Sequence, residues 1–208
     1  MKQVQLVKHP LVCDKISKLR DQRTGAQDFR RLLHELSIII AVEATAHSPL
    51  KEITVETPLE KTTGKVLSKG VVLIPILRAG LGMLNGFLEI IENAKVGYLG
   101  VHRDESTLKP VAYYENLPPH LDNSEIFVLD PMLATGGSAA HCLSLIKKSG
   151  GNQIALVTLC SAPEGVQFVK GQHPDVRIIT ASLDRGLNGN GYILPGLGDA
   201  GDRLNGTK

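Results

Sequence analysis

The stretch Ile126-Phe127-Val128-Leu129-Asp130-Pro131-Met132-Leu133-Ala134-Thr135-Gly136-Gly137-Ser138 decides the fold. Its four leading apolar residues read as a strand buried on both faces, the kind found in parallel sheets covered by helices. The strand delivers an acid, Asp130, at its carboxyl end. A short loop then sets Thr-Gly-Gly-Ser at the mouth of a helix expected over Ala139–Ser149 and stopped by Gly150-Gly151. In parallel α/β sheets, ligands bind at the carboxyl ends of strands. Helix-start N–H groups, with small residues that admit close backbone approach, suit a phosphate. Thr135 and Ser138 add hydroxyl donors, and Asp130 can accept hydrogen bonds from sugar hydroxyls. The loop lacks the lysine and the spacing of a Walker A P-loop. An ordinary turn with a Thr or Ser N-cap would explain Thr-Gly-Gly-Ser alone; the apolar strand and its terminal acid weigh against it.

The same rhythm continues on either side. Val71–Leu77, Val96–Val101, Ile154–Cys160 and Arg177–Ala181 read as strands. Leu84, Phe87, Leu88 and Ile91 lie at helical spacing. Thr24-x-x-Gln27 and Ser161-x-x-Glu164 have the spacing of capping boxes. The first precedes a stripe of Phe29, Leu32, Leu33, Leu36, Ile39 and Ile40 expected to face the core; the second opens a helix through Val169. The fold class is therefore α/β, a mostly parallel central sheet flanked by helices. Two stretches fall outside the rhythm. His102–Ser124 is polar and rich in Pro and Tyr, and reads as a long loop or a projecting hairpin. The C-terminus carries Gly186, Gly189, Gly191, Gly196, Gly198, Gly201 and Gly206, a clear surplus among 21 glycines. Gly196-Leu197-Gly198-Asp199-Ala200-Gly201 is a literal G-x-G-x-x-G. The residues after it are too few for the helix and second strand of a dinucleotide-binding unit.

Composition narrows the class. The 208 residues suit one domain over 1–208, and 42% hydrophobic with 21% charged residues excludes a disordered chain. The longest apolar stretch, Val71–Leu77, is broken by Pro75 and too short to cross a bilayer. The first residues lack the apolar core of a signal peptide. A net charge of +2 argues against a nucleic-acid or membrane-surface partner. Cys13, Cys142 and Cys160 are odd in number without C-x-x-C spacing, which fits a reducing cytoplasm. The histidines do not cluster with them at zinc-ligand spacing. Cys160 ends an apolar run and is expected buried and inert.

The strand–Asp–loop–Thr-Gly-x-Ser arrangement resembles the phosphoribosyl diphosphate (PRPP) motif of type I phosphoribosyltransferases. Most members carry two adjacent acids after the strand. This chain has Asp130-Pro131, as in the uracil phosphoribosyltransferase branch, and resembles that branch along nearly its whole length. The shared motifs are Pro75-Ile76-Leu77-Arg78-Ala79-Gly80, His102-Arg103-Asp104, Tyr113-Tyr114 and Gly196-Leu197-Gly198-Asp199-Ala200-Gly201-Asp202-Arg203.

The resemblance implies a type I phosphoribosyltransferase fold with a projecting loop or hairpin and a small C-terminal hood. It implies the reaction uracil + PRPP → UMP + diphosphate, in pyrimidine salvage. Arg78, Arg103 and Asp199 would be catalytic. Arg78, Arg103, Asp130, Pro131, Met132, Leu133, Ala134, Thr135, Gly136, Gly137, Ser138 and Asp199 would contact PRPP. The polar loop 102–124, with Lys109, would close over PRPP and exclude water. Ile193, Gly198, Asp199 and Ala200 would contact uracil beneath a hood over 184–208, while Tyr192 is expected in the core. Mg²⁺ would be held mainly by PRPP, with no dedicated protein metal site. The resemblance also implies a homo-oligomer, with the apolar N-terminal helix a possible interface, and GTP as an activator to be tested. A phosphoribosyltransferase-fold RNA-binding regulator of pyrimidine genes is the alternative. The absent second acid and the hood argue against it.

Overall fold

The computed structural model describes residues 4–103 and 110–207, and for 102, 103 and 110 the backbone alone. The chain begins with β1 (Val4–Leu6), α1 (Pro10–Arg20) and α2 (Ala26–Thr45). Pro10 opens α1, where a missing N–H does no harm, and His9 Nδ1 accepts from the Leu11 amide at 3.2 Å. The expected Thr24 capping box does not form. Gly25 is the N-cap of α2, and the Thr24 hydroxyl donates instead to the Lys18 carbonyl at 2.6 Å, tying α2 to α1. Phe29, Leu32, Leu33, Leu36 and Ile40 are buried as the helical spacing predicts, with Ile39 partly buried beside them. The stripe packs inside the chain.

Next come β2 (Leu50–Glu56) and β3 (Lys61–Leu67), then β4 (Gly70–Leu77) and α3 (Leu81–Ile90). Among the described residues β2 and β3 pair antiparallel only with each other, an arm that the sequence pattern does not announce. Both of its faces are exposed, so no burial imposes alternation. The expected strand 96–101 is parted at Gly97 into β5 (Lys95–Val96) and β6 (Tyr98–Arg103), both paired with β4. β7 (Pro110–Asn116) returns antiparallel to β6, so the polar segment is a hairpin at its base. Residues 104–109, including Asp104 and Lys109, lie outside the described residues.

The second half holds β8 (Ser124–Leu129), β9 (Met132–Leu133), α4 (Gly137–Lys148), β10 (Gln153–Ser161), α5 (Pro163–Gln172) and β11 (Arg177–Leu183). The chain finishes with β12 (Gly186–Leu187), β13 (Ile193–Leu194) and α6 (Ala200–Asn205). The second capping box is also absent. Ala162 is the N-cap of α5, the Ser161 hydroxyl donates to Thr180 Oγ1 at 3.0 Å, and Glu164 accepts from the Leu187 amide at 3.1 Å. Both residues that looked like caps hold tertiary structure. A short helix, α6, begins inside the glycine run at Ala200. Its N-cap is Asp199, whose carboxylate accepts from the Asp202 amide at 2.9 Å. No strand follows it among the described residues.

The main sheet runs β1-β11-β10-β8-β4-β6-β7, parallel throughout except for β7. Side chains alternate between two cores. Leu73, Phe127 and Val157 face α1, α2 and α3, while Val72, Ile74, Val128 and Leu156 face α4 and α5. This is the two-sided covering that unbroken apolar strands imply. Among the described residues, no helix is long and apolar enough to cross a membrane. The parallel order turns the carboxyl ends of β4, β6, β8, β10 and β11 to one edge, where the remaining chemistry collects.

Candidate active site

β8 hands the chain to Asp130 at that edge. The next residues are stitched to β10. The Pro131 carbonyl accepts from the Leu159 and Cys160 amides at 3.1 and 3.0 Å, and the Leu133 carbonyl accepts from Ala162 at 2.9 Å. The Pro131 and Leu133 side chains are buried. They support the loop from behind. α4 then starts at Gly137 with Gly136 as its N-cap, at φ 84° and with no side-chain cap. The ordinary Thr- or Ser-capped turn is therefore absent, and no side-chain hydrogen bond caps the positive end of α4. A Cβ on Gly136 would stand 2.8 Å from the Gly165 carbonyl oxygen, so both φ and space demand glycine.

Asp130 is partly buried, and burial pushes its carboxyl up to about 7, weakly opposed by the Met132 amide. Around neutral pH the group therefore sits between its two protonation states. Burial also pushes the Cys142 and Cys160 thiols up to about 12. Neither is a nucleophile, as expected for Cys160.

Arg78 leaves the end of β4, exposed to solvent. With Leu77, Ala79, Val101, Tyr113, Asp199 and Gly201 it lines a cleft of ≈ 430 Å³. Arg103 ends β6, its side chain outside the described residues. β6 lies parallel to β4 with Gly100 opposite Leu77, so both arginines leave the same ends of adjacent strands.

The adjoining cleft, ≈ 380 Å³, is lined by Met132, Ala134, Thr135 and Ser138 on one side and by Ile193, Gly198, Asp199 and Ala200 on the other. The anion loop and the C-terminal hood, more than fifty residues apart in sequence, thus form one concave site. Asp199, Ala79 and Gly201 line both clefts. Asp130, Pro131, Leu133, Gly136 and Gly137 do not line either one. Tyr192 corrects the sequence reading: it is half exposed and lines the cleft, not the core. Asn190 and Gly191 were not anticipated there either. The signal lay in the run Asn188–Gly191, whose polar and glycine content marks a loop that cannot bury a tyrosine.

A third cleft of ≈ 430 Å³ lies at the amino ends of the strands, lined by His47, Glu125, Asn152 and Arg177 among others. It has neither a glycine-lined turn nor a helix start. Among the described residues, no group of three or more His, Cys, Asp or Glu stands ready to hold a metal ion. Among the described residues, Asp199 is the one carboxylate lining the two clefts, and Asp130 follows β8 at the same edge. Such a sparse set fits a magnesium ion that keeps water and substrate oxygens as most of its ligands.

The family model described as uracil phosphoribosyltransferase matches residues 6–207. A uracil phosphoribosyltransferase from Fervidobacterium nodosum is 55% identical over 204 residues, covering 98% of this chain and 99% of that protein. The solved structure of the AQ2163 protein from Aquifex aeolicus superposes with a TM-score of 0.92 at 40% identity, over 97% of each chain. A purine phosphoribosyltransferase from Pyrococcus horikoshii shares the fold alone, with a TM-score of 0.50 at 17% identity over 71% of this chain and 82% of that one.

Proposed function

This chain belongs to the uracil phosphoribosyltransferase family, and on that premise we propose that it converts uracil and PRPP to UMP and diphosphate. One observation carries the reading to the site. A single cleft is lined both by the start of α4, suited to a phosphate, and by a glycine-rich hood suited to a small planar base.

In the proposed reaction N1 of uracil attacks C1 of the ribose with inversion. The N1–C1 bond forms, the bond from C1 to diphosphate oxygen breaks, and the N1 proton is lost. No covalent nucleophile is required, and both buried thiols are held far above neutral pH. The chain's residues orient and stabilise. The helix start at Gly137–Ser138 and the hydroxyls of Thr135 and Ser138 hold the 5′-phosphate. Asp130 accepts from the ribose hydroxyls when ionised. Arg78 and Arg103 balance the charge that develops on departing diphosphate. The hood backbone at Ile193, Gly198 and Ala200 reads the carbonyls and N3–H of uracil, and Asp199 borders both clefts. Mg²⁺ would be held mainly by PRPP, with Asp130 and Asp199 as the chain's own candidate contacts, and would supply further charge stabilisation when bound.

We read the chain as one domain with 184–208 as the base hood. The β2–β3 arm supports a homo-oligomer: Leu50, Ile53, Val55, Val66 and Leu67 are exposed on it, and among the described residues no other strand pairs with it. Three unpaired cysteines support a reducing cytoplasm. GTP activation is decided by turnover with and without the nucleotide. The RNA-regulator alternative draws no support from the relatives named above. The test of the main reading is PRPP consumption with uracil, cytosine, hypoxanthine and orotate supplied in turn. Uracil alone should support rapid turnover; equal rates with a purine would overturn the assignment.

A further inference from the structure

The hood has a back as well as a front. Arg20, the last residue of α1, reaches across to the residues that follow β11. Its Nη1 donates to Asp184 Oδ2 at 2.8 Å and to the Gly196 carbonyl at 2.9 Å. Its Nη2 donates to Asp184 Oδ1 at 2.5 Å and to Ser182 Oγ at 2.8 Å. Asp184 Oδ2 in turn accepts from the Gly196 amide at 2.9 Å. The Gly196 residue is thus gripped on both sides, its N–H by the carboxylate and its C=O by the guanidinium. The Asp184 side chain is 2% exposed, so this pair is fixed inside the protein.

Gly196 is a sensitive point to grip. It sits at φ 61°, and a Cβ on it would lie 2.2 Å from the Ile193 carbonyl oxygen. The turn therefore sets the distance between Ile193 before it and Gly198 after it, two walls of the base cleft. One residue further on, Arg203 holds the Leu197 carbonyl at 2.8 Å. It also donates to the carbonyls of Leu19 and Asp21, each at 2.7 Å, and lies 4.6 Å from the Phe29 ring centre. Neither Arg20 nor Arg203 lines the base cleft. Both line a separate cleft of ≈ 480 Å³ on the other side of the turn, with Pro195 and Leu197.

We propose that Arg20, through its ion pair with Asp184, is a positioning residue for base recognition: it sets the Gly196 turn from behind and so controls uracil affinity without touching uracil. The inference rests on the reading that Ile193 and Gly198–Ala200 contact uracil. The fork of the guanidinium is what the role requires, because four acceptors are served from one planar group. A lysine keeps the charge beside Asp184 but cannot serve all four in that geometry.

The test compares wild type, Arg20→Lys, Arg20→Ala and the double variant Arg20→Met/Asp184→Leu, measuring uracil KM, PRPP KM, kcat and melting temperature. For Arg20→Lys, uracil KM should rise roughly tenfold or more, as expected of an ångström-scale misplacement, while PRPP KM changes less than about twofold. The double variant replaces a buried ion pair by apolar groups, which restores stability in many proteins. Its melting temperature should exceed that of Arg20→Ala, yet its uracil KM should stay high. A purely structural role predicts the opposite, with uracil KM returning alongside the melting temperature, and that result overturns the proposal. So does an equal rise in both KM values, or an unchanged uracil KM in Arg20→Lys. A wild-type protein inactive with uracil would instead overturn the activity assigned above, which keeps the two failures distinct.

Discussion

Gly80 packs so closely on the end of β8 that a Cβ on it would stand 2.3 Å from the Leu129 carbonyl oxygen. Leu129 precedes Asp130, and Gly80 follows Arg78 by two residues. The two loops expected to hold the ribose and the diphosphate are therefore locked together through backbone, where no side chain can yield. Gly80→Ala should overpack this contact and destabilise the protein by about 2 kcal/mol. It should also raise PRPP KM more than uracil KM. Thermal unfolding and steady-state kinetics read both effects; a variant as stable as wild type would show that the loops can part freely.

Arg78 is exposed at the rim of the diphosphate-side cleft. Arg78→Ala should leave the melting temperature nearly unchanged, because exposed side chains contribute little to stability. It should lower kcat on the order of 10²-fold through loss of charge stabilisation in the transition state, with little change in uracil KM. Unaltered turnover would remove Arg78 from the mechanism.

Asp130 gives a signed pH dependence. Its carboxyl is pushed up to about 7 by burial, against an ordinary value near 4 in the unfolded chain. Between those values the unliganded folded protein holds a proton that the unfolded chain has released. Stability contributed by this group therefore falls as pH rises from about 4 to about 7 and is level above that. Asp130→Asn cannot titrate, so relative to wild type its stability should improve across that window, as read by urea unfolding at pH 5 and pH 8. The same variant should bind PRPP more weakly by calorimetry. Identical pH profiles for the two proteins would mean that the carboxyl is not raised.

Tyr192 is half exposed and lines the base cleft. Tyr192→Ala should change stability by less than about 1 kcal/mol. Uracil KM should rise several-fold while PRPP KM holds. A large drop in melting temperature with unchanged kinetics would return Tyr192 to a structural role.

The elements that were legible are those whose environment is uniform along their length. Val71–Leu77 and Ile126–Leu129 are apolar at every position because helices cover both sheet faces. The β2–β3 arm was illegible for the converse reason: with both faces exposed, nothing writes an alternation into Leu50–Glu56 or Lys61–Leu67. The two apparent capping boxes failed because Thr24, Ser161 and Glu164 make tertiary hydrogen bonds to Lys18, Thr180 and Leu187. A local four-residue pattern carries no information about partners outside it. Tyr192 was misread because its composition neighbours, not its own apolarity, decide whether it is covered.

Contiguous residues sufficed for the parallel α/β class, the acid and glycine-rich loop after β8, and the resemblance that named the substrates. These depend on local order: strand, acid, loop and helix start are contiguous, and each motif is read in a window of a few residues. The folded chain was needed to show that Thr135 and Ser138 line one cleft with Gly198 and Ala200. It alone decided that Arg20 and Asp184, 164 positions apart, hold the back of the hood. Such pairings are made where strand ends converge and buried charges must find partners, and a linear pattern encodes neither the convergence nor the partner.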